Sequence, residues 1–268
     1  MTRPQWVPAG TDTQKPNAAR IYDYYLGGSH NFAVDRELAL KAMELWPDLP
    51  LIMRANRAFL RRAVHLIAEQ GVTRFLDIGS GIPTFGAVHE TARETAPEAR
   101  VVYVDQDPVA VAHSRLLLAE DPLSQVVQAD LRTPADLLAS PPVAALLASG
   151  EPVAVLLVAV LHFITDDEDP ERLVRQLRDA MPPGSFLVLS HACEEGRPDQ
   201  RGAHEDLYAR TPTPLTMRSR ERITGLFEGF DVVEPGVVYL NEWQPESPAA
   251  VGPHPERMTG LAGVGRLA

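Results

Sequence analysis

The sequence predicts an α/β protein with a doubly wound, mostly parallel sheet of seven strands, closed by a C-terminal antiparallel hairpin and preceded by an N-terminal helical cap. Three observations predict it. Short apolar, β-branched runs recur between residues 73 and 190, separated by stretches of helical character. The runs do not alternate apolar with polar, as expected of strands buried on both faces. The first run enters a glycine-bent turn, Asp77-Ile-Gly-Ser-Gly81, where open α/β sheets place their ligands.

The elements follow in order. Residues 1–15 are polar and are expected to be loose. A helix is expected from Pro16 to Leu26, stopped by Gly27-Gly28, and a second from Val34 to Leu45, ended by Pro47 and Pro50. A third spans Ile52 to Gln70, with Phe59, Leu60, Ala63, Val64, Leu66 and Ile67 as its apolar stripe and Gly71 as its stop. Strands are expected at 73–78, 101–105, 125–129, 153–159 and 185–190, with helices at 85–96, 108–119 and 170–180. Asp107-Pro108 and Asp169-Pro170 read as helix entries, acid at the cap and proline at the first position. Residues 131–150 form an Ala/Leu/Pro-rich insertion of one or two short helices. A helix near 217–227 leads to Phe230–Val233 and Val237–Leu240, which the Glu234-Pro235-Gly236 turn joins as a hairpin. This division gives a cap at 1–70, a core at 71–243 and a partly mobile tail at 244–268.

Composition narrows the function. A net charge of −11 argues against a nucleic-acid partner, which needs a basic footprint. The longest apolar run, Val153 to Val160, is too short to span a bilayer, and the N-terminus carries no apolar signal core. The single cysteine, Cys193, fits a reducing compartment, and scattered histidines predict no metal site. A cytoplasmic location is expected.

The chemistry concentrates at the ends of four consecutive strands. Gly79 and Gly81 let a ligand approach the backbone, while Asp77 places an acid there that suits an amine better than a phosphate. Asp105 is placed to take two ribose hydroxyls, with Gln106 beside it; Asp130 and Leu131 offer an acid and an apolar face to a purine. Val160 and His162, after the fourth strand, line the pocket floor. Together these point to S-adenosyl-L-methionine.

The central region resembles the class I S-adenosylmethionine-dependent methyltransferases, whose Asp/Glu-x-Gly-x-Gly motif is matched by Asp77, Gly79 and Gly81; Pro83 stands where a third glycine is frequent. More narrowly, Pro16-Asn-Ala-Ala-Arg-Ile-Tyr-Asp-Tyr-Tyr-Leu-Gly-Gly28 with Asn31-Phe-Ala-Val-Asp-Arg36 is similar to an actinobacterial S-adenosyl methyltransferase family once catalogued as a domain of unknown function. That likeness runs from about residue 14 to residue 243. It implies a Rossmann-like core in which Gly79, Ser80 and Gly81 pass beneath the methionine part, Asp77 binds its ammonium, Asp105 the ribose, and Gln106, Asp130 and Leu131 the base. Arg54, Asn56 and Arg57 are placed to reach the methionine carboxylate. The family supplies no substrate.

Several roles stay open on sequence grounds. Tyr22 belongs either to a lid over the cofactor, hinged at Gly27-Gly28, or to a cap helix with an ordinary glycine stop. Asp23, His30 and Asn31 are polar enough to face a substrate. His162 and His191 are the candidate general bases, with His204 weaker, and each could instead be a satisfied wall residue. No Asn/Asp-Pro-Pro-Tyr or Pro-Cys follows the fourth strand, which disfavours nucleobase methylation. Asp166-Asp-Glu-Asp169 reads as a solvated approach to a helix. The expected function is methyl transfer to a small-molecule acceptor, O-methylation included. A non-catalytic S-adenosylmethionine sensor and an NAD-dependent oxidoreductase are the alternatives, although the latter's fingerprint needs glycine where Thr84 stands.

Overall fold

Three helices precede the sheet in the computed structural model, which describes residues 12–84, 86–196, 198–209, 211 and 213–268, without the side chains at 198–201 and 204. The expectation for residues 1–11 therefore lies outside the described residues. The helices are α1 (Ala18–Tyr25), α2 (Ala33–Leu45) and α3 (Leu49–Glu69). Asn17 caps α1 by accepting the Ala19 N–H at 2.8 Å. At its other end Gly27, at φ +84°, donates to Tyr24 O, and Gly28 donates to Asp23 O at 2.8 Å. These two bonds form a Schellman stop. A Cβ at Gly28 would overlap the Asp23 carboxylate, so glycine is required where the chain leaves the helix. Pro50 does not close α2 but sits in the first turn of α3, where its missing N–H leaves no bond unmade.

The chain then alternates β1 (Arg74–Ile78), α4 (Val88–Arg93), β2 (Arg100–Asp105), α5 (Pro108–Leu117), β3 (Ser124–Gln128), α6 (Pro134–Ala139), α7 (Pro141–Leu147), β4 (Ala154–Val158), α8 (Pro170–Asp179) and β5 (Phe186–Ala192). Asp107 and Asp169 cap α5 and α8, accepting from Val109 N–H and Arg172 N–H. Then follow α9 (Pro198–Tyr208), α10 (Arg220–Gly225), β6 (Asp231–Val232), β7 (Val238–Tyr239), α11 (Pro248–Val251) and β8 (Gly260–Arg266). The sheet order is β3-β2-β1-β4-β5-β8-β6, with β7 also on β8; β1 to β5 are parallel. Alternate residues of each strand enter separate cores. Phe75, Tyr103, Leu156 and Val188 pack towards the cap, while Leu76, Val104, Leu157 and Leu189 pack towards α6–α8 and α10.

Two expectations fail at the C-terminus. Residues 260–266 are not tail but a strand inside the sheet, antiparallel to β5 from Phe186↔Arg266 to Ala192↔Gly260. Nor do Phe230–Val233 and Val237–Leu240 form a hairpin. β6 pairs with β8 at Asp231↔Arg266 and β7 at Val238↔Ala262, so both run the same way along one partner, with the Glu234-Pro235-Gly236 turn bulging out between them. The three glycines of β8 made it look loose. A Cβ at Gly265 would meet Phe230 Cβ at 2.7 Å and Phe227 Cδ1 at 2.9 Å, so glycine lets these rings lie directly on the strand backbone.

Gly265→Ala is accordingly expected to destabilise the fold by about 1–3 kcal/mol through overpacking. Urea denaturation measures it; a neutral or stabilising effect, as in a loose tail, would contradict the strand assignment.

Candidate active site

The carboxyl ends of the parallel strands open on a cavity roofed by α1 and α3. Tyr22, Asp77, Gly79, Ser80, Gly81, Asp105, Gln106, Asp130, Leu131, Val160, His162 and His191 all line it, so residues chosen from the sequence converge on one space. The turn after β1 is bent by Gly79 and Ser80, whose N–H groups both donate to Val104 O at 2.8 and 3.1 Å. Gly79 has φ +72°, and a Cβ there would overlap Val160, which holds the turn against the chain leaving β4.

Two buried acids face this turn. No described residue donates a hydrogen bond to the Asp77 carboxyl, and burial pushes its pKa up to about 7, opposed by Arg57 and reinforced by Asp105. Asp105 accepts Gly81 N–H on one oxygen and Asp107 N–H on the other, each at 2.8 Å. Burial lifts it to about 6 against those two bonds. A carboxylate oxygen has two lone pairs, so each can still take a ligand hydroxyl. At the rim Asp130 is gripped by Arg132, whose N–H and Nε both reach Oδ1 at 2.9 Å, while Arg132 Nη2 donates to Gln106 Oε1 at 2.6 Å. Asp130 thus orients Arg132 and Gln106 as well as offering its own edge. The sequence reading passed over Arg132.

The roof is fastened to the sheet by a directional chain of hydrogen bonds, with the Ser190–Asn56 bond fully buried. Ala159 N–H donates to Ser190 Oγ (2.9 Å), Ser190 to Asn56 Oδ1 (2.6 Å), Asn56 Nδ2 to Tyr22 Oη (2.9 Å) and Tyr22 to Met53 O (3.3 Å). Asn56 is therefore committed to its neighbours. Arg57 lines the cavity and donates to Gly86 O, whereas Arg54 is exposed outside it. Asp23, expected to face a substrate with His30 and Asn31, holds the α1–α2 loop instead, accepting His30 N–H at 2.8 Å and Asn31 Nδ2 at 2.9 Å.

The histidines separate on geometry. His191 Nδ1 donates to Ala192 O at 2.7 Å, and its Nε2 accepts from Arg218 Nη1 at 2.8 Å. Burial pushes its pKa down to about 3, so it is a neutral strut without a lone pair to serve as a base. Arg218, fully buried, also donates to Leu161 O, Ile164 O and Asp166 Oδ1, fixing the loop that carries His162. Asp166 is thus an anchor with Arg218 and Arg222 on it, which hold its pKa at about 2, and not merely a solvated residue. Arg218 lies 27 residues beyond His191, and no local motif joins the two. His162 Nδ1 accepts Ala192 N–H at 3.3 Å, which selects the tautomer with its proton on Nε2. His204 lies in α9, its side chain outside the described residues.

A glycine cradle that a Cβ would fill, a buried acid awaiting a donor, and a second acid with lone pairs to spare fit a ligand carrying an amine and hydroxyls. Comparison with known proteins agrees. A family model described as S-adenosyl methyltransferase matches residues 4–268. A crystal structure of a methyltransferase candidate from Thermobifida fusca YX is 40% identical over 98% of this chain and 99% of that one, with a TM-score of 0.91. A DUF574 family protein from Streptomyces avermitilis MA-4680 is 39% identical over 96% and 99%, with a TM-score of 0.90. The N-methyltransferase NodS of Bradyrhizobium japonicum WM9, solved with S-adenosyl-L-homocysteine, shares the fold at 16% identity over 92% and 98%, with a TM-score of 0.52. No curated protein matches the chain. The chain belongs to the S-adenosyl methyltransferase family, and it is an enzyme whose methyl donor is S-adenosylmethionine.

Proposed function

We propose that the protein methylates an oxygen atom of a small-molecule acceptor. The observation that carries this reading is the Ala192 N–H to His162 Nδ1 bond, which puts the ring's proton on Nε2 in a residue that lines the cavity beyond the end of β4. An acceptor oxygen can receive that hydrogen bond on one lone pair and attack with another, whereas an amine nitrogen has one lone pair for both purposes. The helical roof supports a small acceptor, because α1 and α3 cover the cavity and are fastened to the sheet through Asn56 and Ser190.

In this reading Asp77 receives the donor's ammonium, Arg57 its carboxylate, Asp105 the ribose hydroxyls, and Gln106, Asp130 and Leu131 the base, with Tyr22, Ser80 and Val160 closing the space around the methionine part. S-adenosylmethionine supplies an electrophilic methyl group: an acceptor lone pair forms the new O–C bond while the C–S electrons return to sulfur. His162 orients the acceptor oxygen through Nε2–H so that a second lone pair faces the methyl group. The acceptor's proton is released to solvent after the O–C bond has formed, since both histidines have their acceptor nitrogen already engaged. Much of the rate then comes from positioning and exclusion of water.

Two outcomes follow. His162→Gln retains an amide donor and is expected to keep the rate within several-fold, while His162→Leu loses about 10- to 100-fold in kcat through lost positioning of the acceptor oxygen. Steady-state kinetics of both variants decides it, because a general-base role would make glutamine as poor as leucine. Ligand binding should also follow pH. The ionised Asp77 that binds an ammonium is populated above its pKa of about 7 and is lost as pH falls. S-adenosylhomocysteine affinity is therefore expected to level off above about pH 8 and to fall by up to about tenfold per unit below pH 7. Calorimetry on Asp77→Asn should show that component gone, leaving the one near pH 6 from Asp105. An unchanged profile in Asp77→Asn would place the ammonium elsewhere.

A further inference from the structure

Beyond Val160 and His162 the cavity continues away from the acids. Its course is marked by the His162 ring on Phe163 at 4.4 Å, Phe163 to Tyr208 at 6.5 Å, and the Tyr208 hydroxyl to that of Tyr25 at 3.3 Å. Trp46 and Leu49 from the α2–α3 corner, Leu215 from the segment before α10 and Leu240 beyond β7 supply further wall.

The charged groups of the cavity are distributed unevenly. Asp77, Asp105, Asp130, Arg57 and Arg132 surround the glycine turn and its rim, and Asp23 is taken up by the α1–α2 loop. Among the described residues, the far chamber presents no carboxylate, ammonium or guanidinium to its contents. Its phenols stay neutral, since burial raises both Tyr25 and Tyr208 above the ordinary tyrosine value.

We infer that this chamber selects a methyl acceptor that is neutral and predominantly apolar. A molecule with a fixed charge would surrender its hydration on entry and meet no counter-charge among the described residues, whereas an apolar frame exchanges water for Trp46, Leu49, Phe163 and Leu240. The inference rests on the methyl-transfer reading only for calling the occupant an acceptor; the selectivity follows from the walls themselves.

The test is calorimetric titration of the full chain with 2-naphthol, 2-naphthoate and 2-naphthylmethylammonium, with and without S-adenosylhomocysteine, near pH 7.5, where the acid is ionised and the phenol is not. 2-Naphthol is expected to bind at least about tenfold more tightly than either ion, because only the ions carry an uncompensated charge into the chamber. Leu215 is partly exposed, so Leu215→Lys should fold, as its thermal melt can verify. That lysine should narrow the naphthol–naphthoate gap by about tenfold, by giving the carboxylate a counter-ion. Equal or tighter binding of either ion, no binding of any probe, or a gap unmoved in folded Leu215→Lys would each overturn the inference. Loss of S-adenosylhomocysteine binding with the naphthol preference intact would instead contradict the cofactor placement and leave the chamber's selectivity standing.

Discussion

The site depends on one buried guanidinium. Arg20 on α1 lies between Asp35 of α2 and Asp107 at the start of α5, and all three are almost completely buried. Asp35 is fully satisfied, accepting Asn17 N–H and Phe32 N–H besides Arg20 Nε at 3.0 Å. Asp107 Oδ2 is held by charge alone, 3.6 Å from Arg20 Nη1, with no hydrogen bond among the described residues. Burying charge is costly unless partners compensate, and removing one member leaves the others stranded. The interaction therefore commits the cap to one position on the core. It also reaches the chemistry, because the Asp107 N–H supports one oxygen of Asp105.

The same logic recurs elsewhere in the site. Arg218 gathers the ends of β4 and β5 with Asp166, and Asn56 carries the hydrogen-bond chain from Ser190 to Tyr22. Each crosslink fixes a loop that would otherwise pay ordering entropy when a ligand arrives. The acids at the glycine turn are left with raised pKa values, a cost in the empty protein that a cationic, hydroxyl-bearing ligand offsets. The far chamber has the opposite character, so one cavity combines a charged half with an apolar half.

The parallel half of the fold was legible because β1, β2, β4 and β5 are almost wholly buried and read as mostly apolar runs, with only the edge strand β3 partly exposed, and because Asp107 and Asp169 cap helices in the usual way. The cavity wall was legible where one residue does one local job, as at Gly79 and Asp105. The C-terminal strand was hidden because its glycines reflect contacts with Phe227 and Phe230, more than thirty residues earlier in the chain. Side chains whose roles are set by distant partners were misjudged for the same reason. His191 looked like a base until Arg218 was beside it, and Asp23 looked like a substrate contact until its bonds to His30 and Asn31 tied it to the α1–α2 loop. Arg20 and Asp35 stood inside the motif that carried the family resemblance, yet nothing in their spacing revealed that they grip each other.

If the cap's grip on Asp107 sets the geometry of the cofactor site, a residue outside the cavity wall must control ligand affinity. Calorimetric titration of S-adenosylhomocysteine into the protein and into Arg20→Ala, each verified as folded by its thermal melt, measures this directly. Micromolar binding is predicted for the unaltered chain, with at least about tenfold weaker binding for the variant, as expected when a buried charge partner is removed. Equal affinity in the two proteins would contradict the account.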